Sequence, residues 1–246
     1  MYTKIAHITD LHLDEAFPIE QGVQARERFQ HVLEDIQHEG IQQIVCTGDI
    51  GEGEGIQYFF EQVSAFDLTI TLGNHDSFSG IISYSQQKTA SGTQQLYYSI
   101  QQDAYKCIYL DSSQGVIDTP QLHWLREMLD NLYPIIIFVH HPILGLDLKV
   151  DKIGKLQNRA EVQALLESTN KEVTVFCGHY HMESNLQGKN IRQYITPAVS
   201  YQIEQDKEEI KIDNEVFGYR IITINQEHIS SKVKVLSHAN QKTITR

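Results

Sequence analysis

Seven residues able to hold a metal ion stand just after short apolar runs in this 246-residue sequence. Asp10 and His12 follow the run at 5–8, Asp49 follows 41–47, Asn74 follows 68–72, His140 follows 135–139, and His179 and His181 follow 173–177. Taken singly, each reads as a turn residue or a satisfied polar group. Taken together, they bring carboxylate, amide and imidazole donors to five strand ends, and in open α/β sheets ligands bind in the crevice beyond the carboxyl ends of the strands. Two divalent cations about 3.5 to 4 Å apart need a shared anionic ligand, with nitrogen and oxygen donors closing each side. The Asp-x-His spacing of Asp10 and His12 puts both side chains on one side as strand gives way to loop, because alternate residues share a face. The His-x-His of His179 and His181 can serve two different metals in the same way. One amide and neutral imidazoles leave two carboxylates against two dications, so even with a bound hydroxide the site stays net positive and attracts phosphate.

The elements that must position these donors alternate between strand and helix. After the first strand comes a helical pattern over 23–38, then the strands 41–47 and 68–72 and a strand pair across 96–100 and 105–110. Thr119 as cap and Pro120 at the first position open a helix. Pro134 leads into the strand 135–139, and Asn158 with Glu161 reads as a capping-box variant opening a helix to about 167. Strands follow at 173–177 and 191–195, and 219–224 and 229–235 form a hairpin across 225–228. The charged stretch 204–215 reads as a solvated loop. Strand, helix, strand opens an α/β layer fold, and with no repeat or linker the expectation is one domain over residues 1–246.

The net charge of −12 lacks the basic field that drives sequence-independent binding to nucleic acid or anionic membranes. The longest apolar run, 134–139, is far short of the roughly 20 residues that cross a bilayer, and residues 1–10 carry no signal-peptide pattern. Cys46, Cys107 and Cys177 lie in apolar stretches without CxxC spacing, which predicts reduced core residues in a cytoplasmic protein.

Asp10-Leu11-His12, Gly48-Asp49, Gly73-Asn74-His75-Asp76, His140 and Gly178-His179-Tyr180-His181, in this order, resemble the five-block pattern of the calcineurin-like metallophosphoesterases. The resemblance spans residues 10–181. It implies a four-layer α/β/β/α sandwich of two mixed sheets, and a metal-bridging hydroxide as the nucleophile. It also implies two metal sites, one of Asp10, His12, Asp49 and His181, the other of Asp49, Asn74, His140 and His179, bridged by Asp49. Leu110-Asp111-Ser112, Gln121-Leu122-His123-Trp124-Leu125, His140-His141-Pro142, Leu156-Gln157-Asn158, Thr196-Pro197-Ala198 and Gly218-Tyr219-Arg220 are similar to the class III cyclic-nucleotide phosphodiesterase branch. Ser77-Phe78-Ser79-Gly80 departs from that branch in lacking arginine, and residues 50–55 depart in their Gly/Glu composition.

His75 diverges from its neighbour Asn74 and so is free to face the substrate as a proton donor to the leaving oxygen; the alternative is a structural histidine. Asp76 is either the partner that holds that imidazole or a helix cap. His141 reads as a surface or backbone hydrogen-bonding residue, with phosphate contact as the alternative. His7, His31, His38, His123, His228 and His238 carry no motif. Gly51-Glu52-Gly53-Glu54-Gly55 has no Lys-Ser/Thr and reads as a flexible rim loop, and no Gly-x-Ser-x-Gly elbow supports a serine nucleophile. The expected function is a dinuclear phosphodiesterase on a small soluble substrate such as a cyclic nucleotide. A phosphomonoesterase or nuclease of the same superfamily, or a non-catalytic interaction module, is the alternative. The mixed donors suit manganese, iron or zinc.

Overall fold

A computed structural model describes residues 2–85, 93–102, 104–225, 228–237 and 240–245. The chain begins with β1 (Thr3–Ile8), α1 (Ala16–Glu20), α2 (Ala25–His38), β2 (Gln43–Cys46), α3 (Glu54–Gln62), β3 (Asp67–Ile70) and α4 (Phe78–Ile82). It continues through β4 (Tyr98–Gln102), β5 (Tyr105–Leu110), α5 (Thr119–Leu129), β6 (Ile135–Val139), α6 (Lys149–Gly154), α7 (Arg159–Glu167) and β7 (Val173–Cys177). Then follow β8 (Ser184–Gln187), β9 (Ile191–Ile195), β10 (Gln202–Ile203), β11 (Ile212–Asp213), β12 (Val216–Ile224), β13 (Ile229–Ser237) and β14 (Asn240–Thr245).

In the first sheet β1, β2 and β3 run parallel, and the other side of β1 takes β12, β13 and β14 in antiparallel pairing. In the second, β5, β6, β7 and β9 run parallel, with β4 and β8 antiparallel at its two edges. Both sheets are therefore mixed. Strand side chains alternate between faces, so Ile5 points between the sheets while its neighbour Ala6 packs under Phe29, Val32 and Ile36 of α2 and Phe59 of α3. On the far side, α5 and α7 lay Leu122, Leu125, Val162 and Leu166 on Ile108, Ile137 and Val175. Helix, sheet, sheet, helix is the layering that results. Strands covered on both faces read as unbroken apolar runs, and all of Ile135–Val139 is buried.

The layer between the sheets is fixed by aromatic register. Tyr98, Tyr109, Phe138, Phe176 and Tyr194 are successive in-register partners across β4, β5, β6, β7 and β9. Their rings stack in sequence with centroids 4.6, 5.2, 5.6 and 5.2 Å apart. Cross-strand aromatic pairs stabilise a sheet and pin its register, since a slip of one residue would turn every ring to the opposite face. This ladder orients the ends of β6 and β7, where His140 and His179 begin.

Several local expectations are corrected. The cap of α5 is Asp118, whose carboxylate accepts from the Gln121 N–H. Asn158 precedes α7 but makes no cap bond, because its amide is bonded to both the N–H and the C=O of Ile117. The stretch 204–215 holds part of a small β10–β11 hairpin. Residues 51–55 are anchored at both ends, with 52–54 exposed between: Gly51 bridges to Leu13 at φ 145°, where a Cβ would lie 2.3 Å from the Leu13 carbonyl oxygen, and Glu54 and Gly55 already belong to α3. His7, without a motif, is buried between the sheets edge-on to Phe138 and Phe176, its ring nitrogens 2.9 Å from the Thr47 hydroxyl and 2.7 Å from that of Thr196. His238 and residues 226–227 of the expected hairpin turn lie outside the described residues.

Candidate metal centre

The ends of β1, β2 and β3 in one sheet and of β6 and β7 in the other converge. Asp10 and His12 continue β1, Asp49 continues β2, Asn74 continues β3, His140 follows β6, and His179 and His181 follow β7. The backbone is strained there. Among the described residues, the non-glycine positions with positive φ are Asp10, His12, Asp14, Asp49, His179 and His181, at 47° to 71°. That region costs an L residue about 1–3 kcal/mol and survives where surroundings over-determine it. Here backbone bonds from Asp10, Leu11 and His12 to the carbonyls of Gly48 and Asp49 (3.0, 2.8 and 2.9 Å) tie the first two loops together. Gly178 must lack a side chain, since a Cβ would lie 2.1 Å from the Thr9 hydroxyl and 2.5 Å from an Asp10 carboxylate oxygen.

Four imidazoles share one design. His140 gives Nδ1 to the Thr47 carbonyl at 2.9 Å, His181 gives Nδ1 to the Tyr201 carbonyl at 2.9 Å, and His179 gives Nε2 to the Gly154 carbonyl at 2.6 Å. His12 gives Nδ1 to the Glu15 carboxylate at 2.9 Å. An acceptor on one nitrogen fixes the proton there, so in the neutral ring the opposite nitrogen carries a lone pair. Those nitrogens face each other: His12 Nε2 lies 3.1 Å from His181 Nε2, and His140 Nε2 lies 3.1 Å from His179 Nδ1 and 3.0 Å from Asn74 Oδ1. Acceptors aimed at acceptors repel unless a cation sits among them, so the donor set fits divalent metal ions.

Asp49 lies between the two imidazole pairs. Its Oδ2 is 3.7 Å from His12 Nε2 and 3.3 Å from His140 Nε2, and its Oδ1 accepts the His75 N–H at 2.8 Å. Asp10 Oδ1 is 3.5 Å from His181 Nε2 and 4.0 Å from His140 Nε2. Asp10, His12 and His181 form one cluster of converging donor atoms, and Asp49, His140 and His179 form a second.

His75 is half-exposed beside this centre, with Nδ1 on Glu15 Oε2 at 2.9 Å. That hydrogen bond, against the opposing effect of burial, raises its imidazole to about 9. Asp76 does not hold this ring. Its buried carboxylate accepts the N–H groups of Asp49, Ile50 and Gly73 at 2.7, 3.0 and 2.9 Å, lashing the second and third loops together. Burial, with Asp49 nearby, pushes it up to about 7. Nor is it a helix cap, because Ser77 caps α4. His141 is buried rather than on the surface; its Nδ1 meets the Ser112 hydroxyl at 2.9 Å and its ring packs on His179 at 4.2 Å, and burial, with His179 beside it, keeps it neutral. Glu15 was not singled out by sequence reasoning. Its place three residues after His12 is the signal that could have found it, whereas the backbone acceptors of Thr47, Gly154 and Tyr201 leave no mark in a sequence.

The family described as Calcineurin-like phosphoesterase matches residues 3–183 of the chain. A protein of Fibrobacter succinogenes named probable cyclic nucleotide phosphodiesterase is 25% identical over 237 residues, covering 94% of this chain and 93% of that one. The 3',5'-cyclic adenosine monophosphate phosphodiesterase CpdA of Escherichia coli is 27% identical, covering 91% and 86%. In fold, the chain is similar to a dimetal phosphatase from Danio rerio, with a TM-score of 0.65 at 14% identity over 93% of this chain and 98% of that one. With two mixed sheets, donors at five strand ends and this match over most of its length, the chain belongs to the calcineurin-like phosphoesterase family, hydrolases of phosphoric esters.

Proposed function

We propose that this chain is a two-metal phosphodiesterase acting on small soluble diesters, cyclic nucleotides among them. The observation that carries the reading is the pair of imidazole nitrogen sets that face each other on either side of Asp49 Oδ2. Asp10, His12, Asp49 and His181 would hold one ion, and Asp49, Asn74, His140 and His179 the other, with Asp49 shared. The ions, when bound, supply an activated water as nucleophile and positive charge at the phosphoryl oxygens. The rest falls to the chain. Asp49 keeps the two sites at one spacing, the outer acceptors hold each imidazole in a single tautomer, and His75 Nε2 gives its proton to the departing oxygen as the phosphorus–oxygen bond breaks. Names of relatives that match over nine-tenths of the chain favour a cyclic nucleotide as substrate.

A diester carries one negative charge, which a site of small net positive charge can meet. A monoester dianion needs a further cation at its terminal oxygens, and Arg159 and Arg26 are already paired, with Asp151 and Asp14. Manganese, iron or zinc would satisfy the mixed donors. We read residues 1–246 as one domain, because the layer between the sheets draws on strands from Ile5 to Ile229. No helix among the described residues is long and apolar enough to cross a membrane, and three buried cysteines that form no disulfide with one another favour the reducing cytoplasm. Steady-state kinetics on a matched aryl diester and monoester test the reading. The diester should have the higher kcat/KM, and a monoester preference of about tenfold or more, worth about 1.4 kcal/mol, would contradict it.

A further inference from the structure

Glu15 is the feature of the site that the ligand pattern does not explain. It lies between β1 and α1, buried to 8% exposure, beyond the ring of donor atoms that face Asp49. A single oxygen, Oε2, accepts from His12 Nδ1 and from His75 Nδ1, both at 2.9 Å. The two rings stand nearly perpendicular, 87° apart with centroids separated by 4.7 Å. The other oxygen, Oε1, is buried with no hydrogen-bond partner. Leaving a carboxylate oxygen buried and unmatched costs free energy, and such exceptions cluster where function demands them. Asp76, the acid that follows His75 directly, is turned away and occupied by three backbone N–H groups.

We propose that Glu15 is the positioning residue for the proton donor: it holds His75 through Nδ1, so that Nε2 faces the leaving oxygen, and ties that ring to the ligand His12. The assignment rests on the reading of His75 as the donor. Because both Nδ1–H groups end on the same oxygen, the tautomer of the ligand and the aim of the donor are set by one carboxylate. Losing it frees two rings at once, although only His12 faces the metal centre. Partners that orient ligands from outside are typically worth about 10- to 100-fold. The loss at His75 should follow the basicity of the leaving oxygen, since an activated aryloxide departs without a proton.

The test has two arms, on Glu15→Gln beside His75→Ala and the unaltered chain. In metal-free protein, nitrogen-15 NMR of the histidine side chains should show two exchange-protected Nδ1–H signals, from His12 and His75. His75→Ala should remove one and Glu15→Gln both, while the Nδ1–H signals of His140 and His181 stay in place. Absence of the two signals from the unaltered chain overturns the proposal whether or not the variant folds. At saturating metal, Glu15→Gln should lower kcat on an alkyl-leaving diester by about 10- to 100-fold while changing an activated aryl diester far less, with KM nearly unchanged. Equal losses on both diesters, or full recovery of both with excess metal, would overturn it. If His75→Ala itself shows no dependence on the leaving group, the donor reading fails, and the NMR arm still reports the contact.

Discussion

At the scale of single residues, the centre is built from strained positions. Among the described residues, five of the six non-glycine positions with positive φ are residues that the sequence already marks as metal donors. Local strain and donor chemistry coincide because the left-handed turn is what swings a side chain off the end of a strand into the crevice. Asp49 carries the most consequence, standing within 3.7 Å of one imidazole pair and 3.3 Å of the other. Asp49→Ala should abolish diester hydrolysis and lower the metal content of both sites, since it would leave two cations without their shared anion. Elemental analysis of the purified variant checks this, and two full equivalents of metal would refute the bridge. The donors were legible in the sequence because their atom types announce the chemistry. The partner of His75 was not: adjacency suggested Asp76, but the chain turns Asp76 onto the backbone N–H of Asp49 and brings Glu15 across from another loop.

At the scale of elements, the proposed ligands depend on how closely loops approach one another. Gly178 lets the loop after β7 rest against Thr9 and Asp10, and Gly178→Ala would drive a methyl group into both. Metal affinity at the Asp10 side should fall while circular dichroism still reports a folded chain; unchanged binding in a metal titration would show that the loop yields freely. β1 itself carries a pH liability. Burial, helped by Arg220, lowers His7 from 6.5 to about 3, so the unfolded chain takes up a proton there before the folded one does. Stability from this residue is intact above about pH 6.5 and is lost progressively as pH falls towards 3. Denaturant midpoints measured from about pH 6.5 to pH 4 should fall less steeply in His7→Gln, by a slope corresponding to about one proton. Parallel slopes would show that His7 does not contribute to the acid destabilisation. Strand positions were legible where apolar runs were long, as in Ile135–Val139. The short helices α1, α4 and α6 were not, because five or six residues give too little periodicity to separate helix from loop.

At the scale of the whole molecule, neither sheet suffices. β1, β2 and β3 deliver Asp10, His12, Asp49 and Asn74, while β6 and β7 deliver His140, His179 and His181, so the centre exists only where the two sheets meet. The aromatic ladder and the inter-sheet layer of Ile5, Val45 and Ile222 hold that meeting in register. Alternating elements made an α/β fold legible from the sequence, but the order of strands and the packing of two sheets came from the resemblance of the ligand blocks, since periodicity carries no information about which strands pair. On the reading proposed above, these sheet ends together hold two metal ions. Titrating metal-free protein with manganese while following hydrolysis of an aryl diester tests it most directly: activity should be absent at the start and rise to saturation at about two equivalents per chain. Hydrolysis without metal, or saturation at one equivalent, would contradict it.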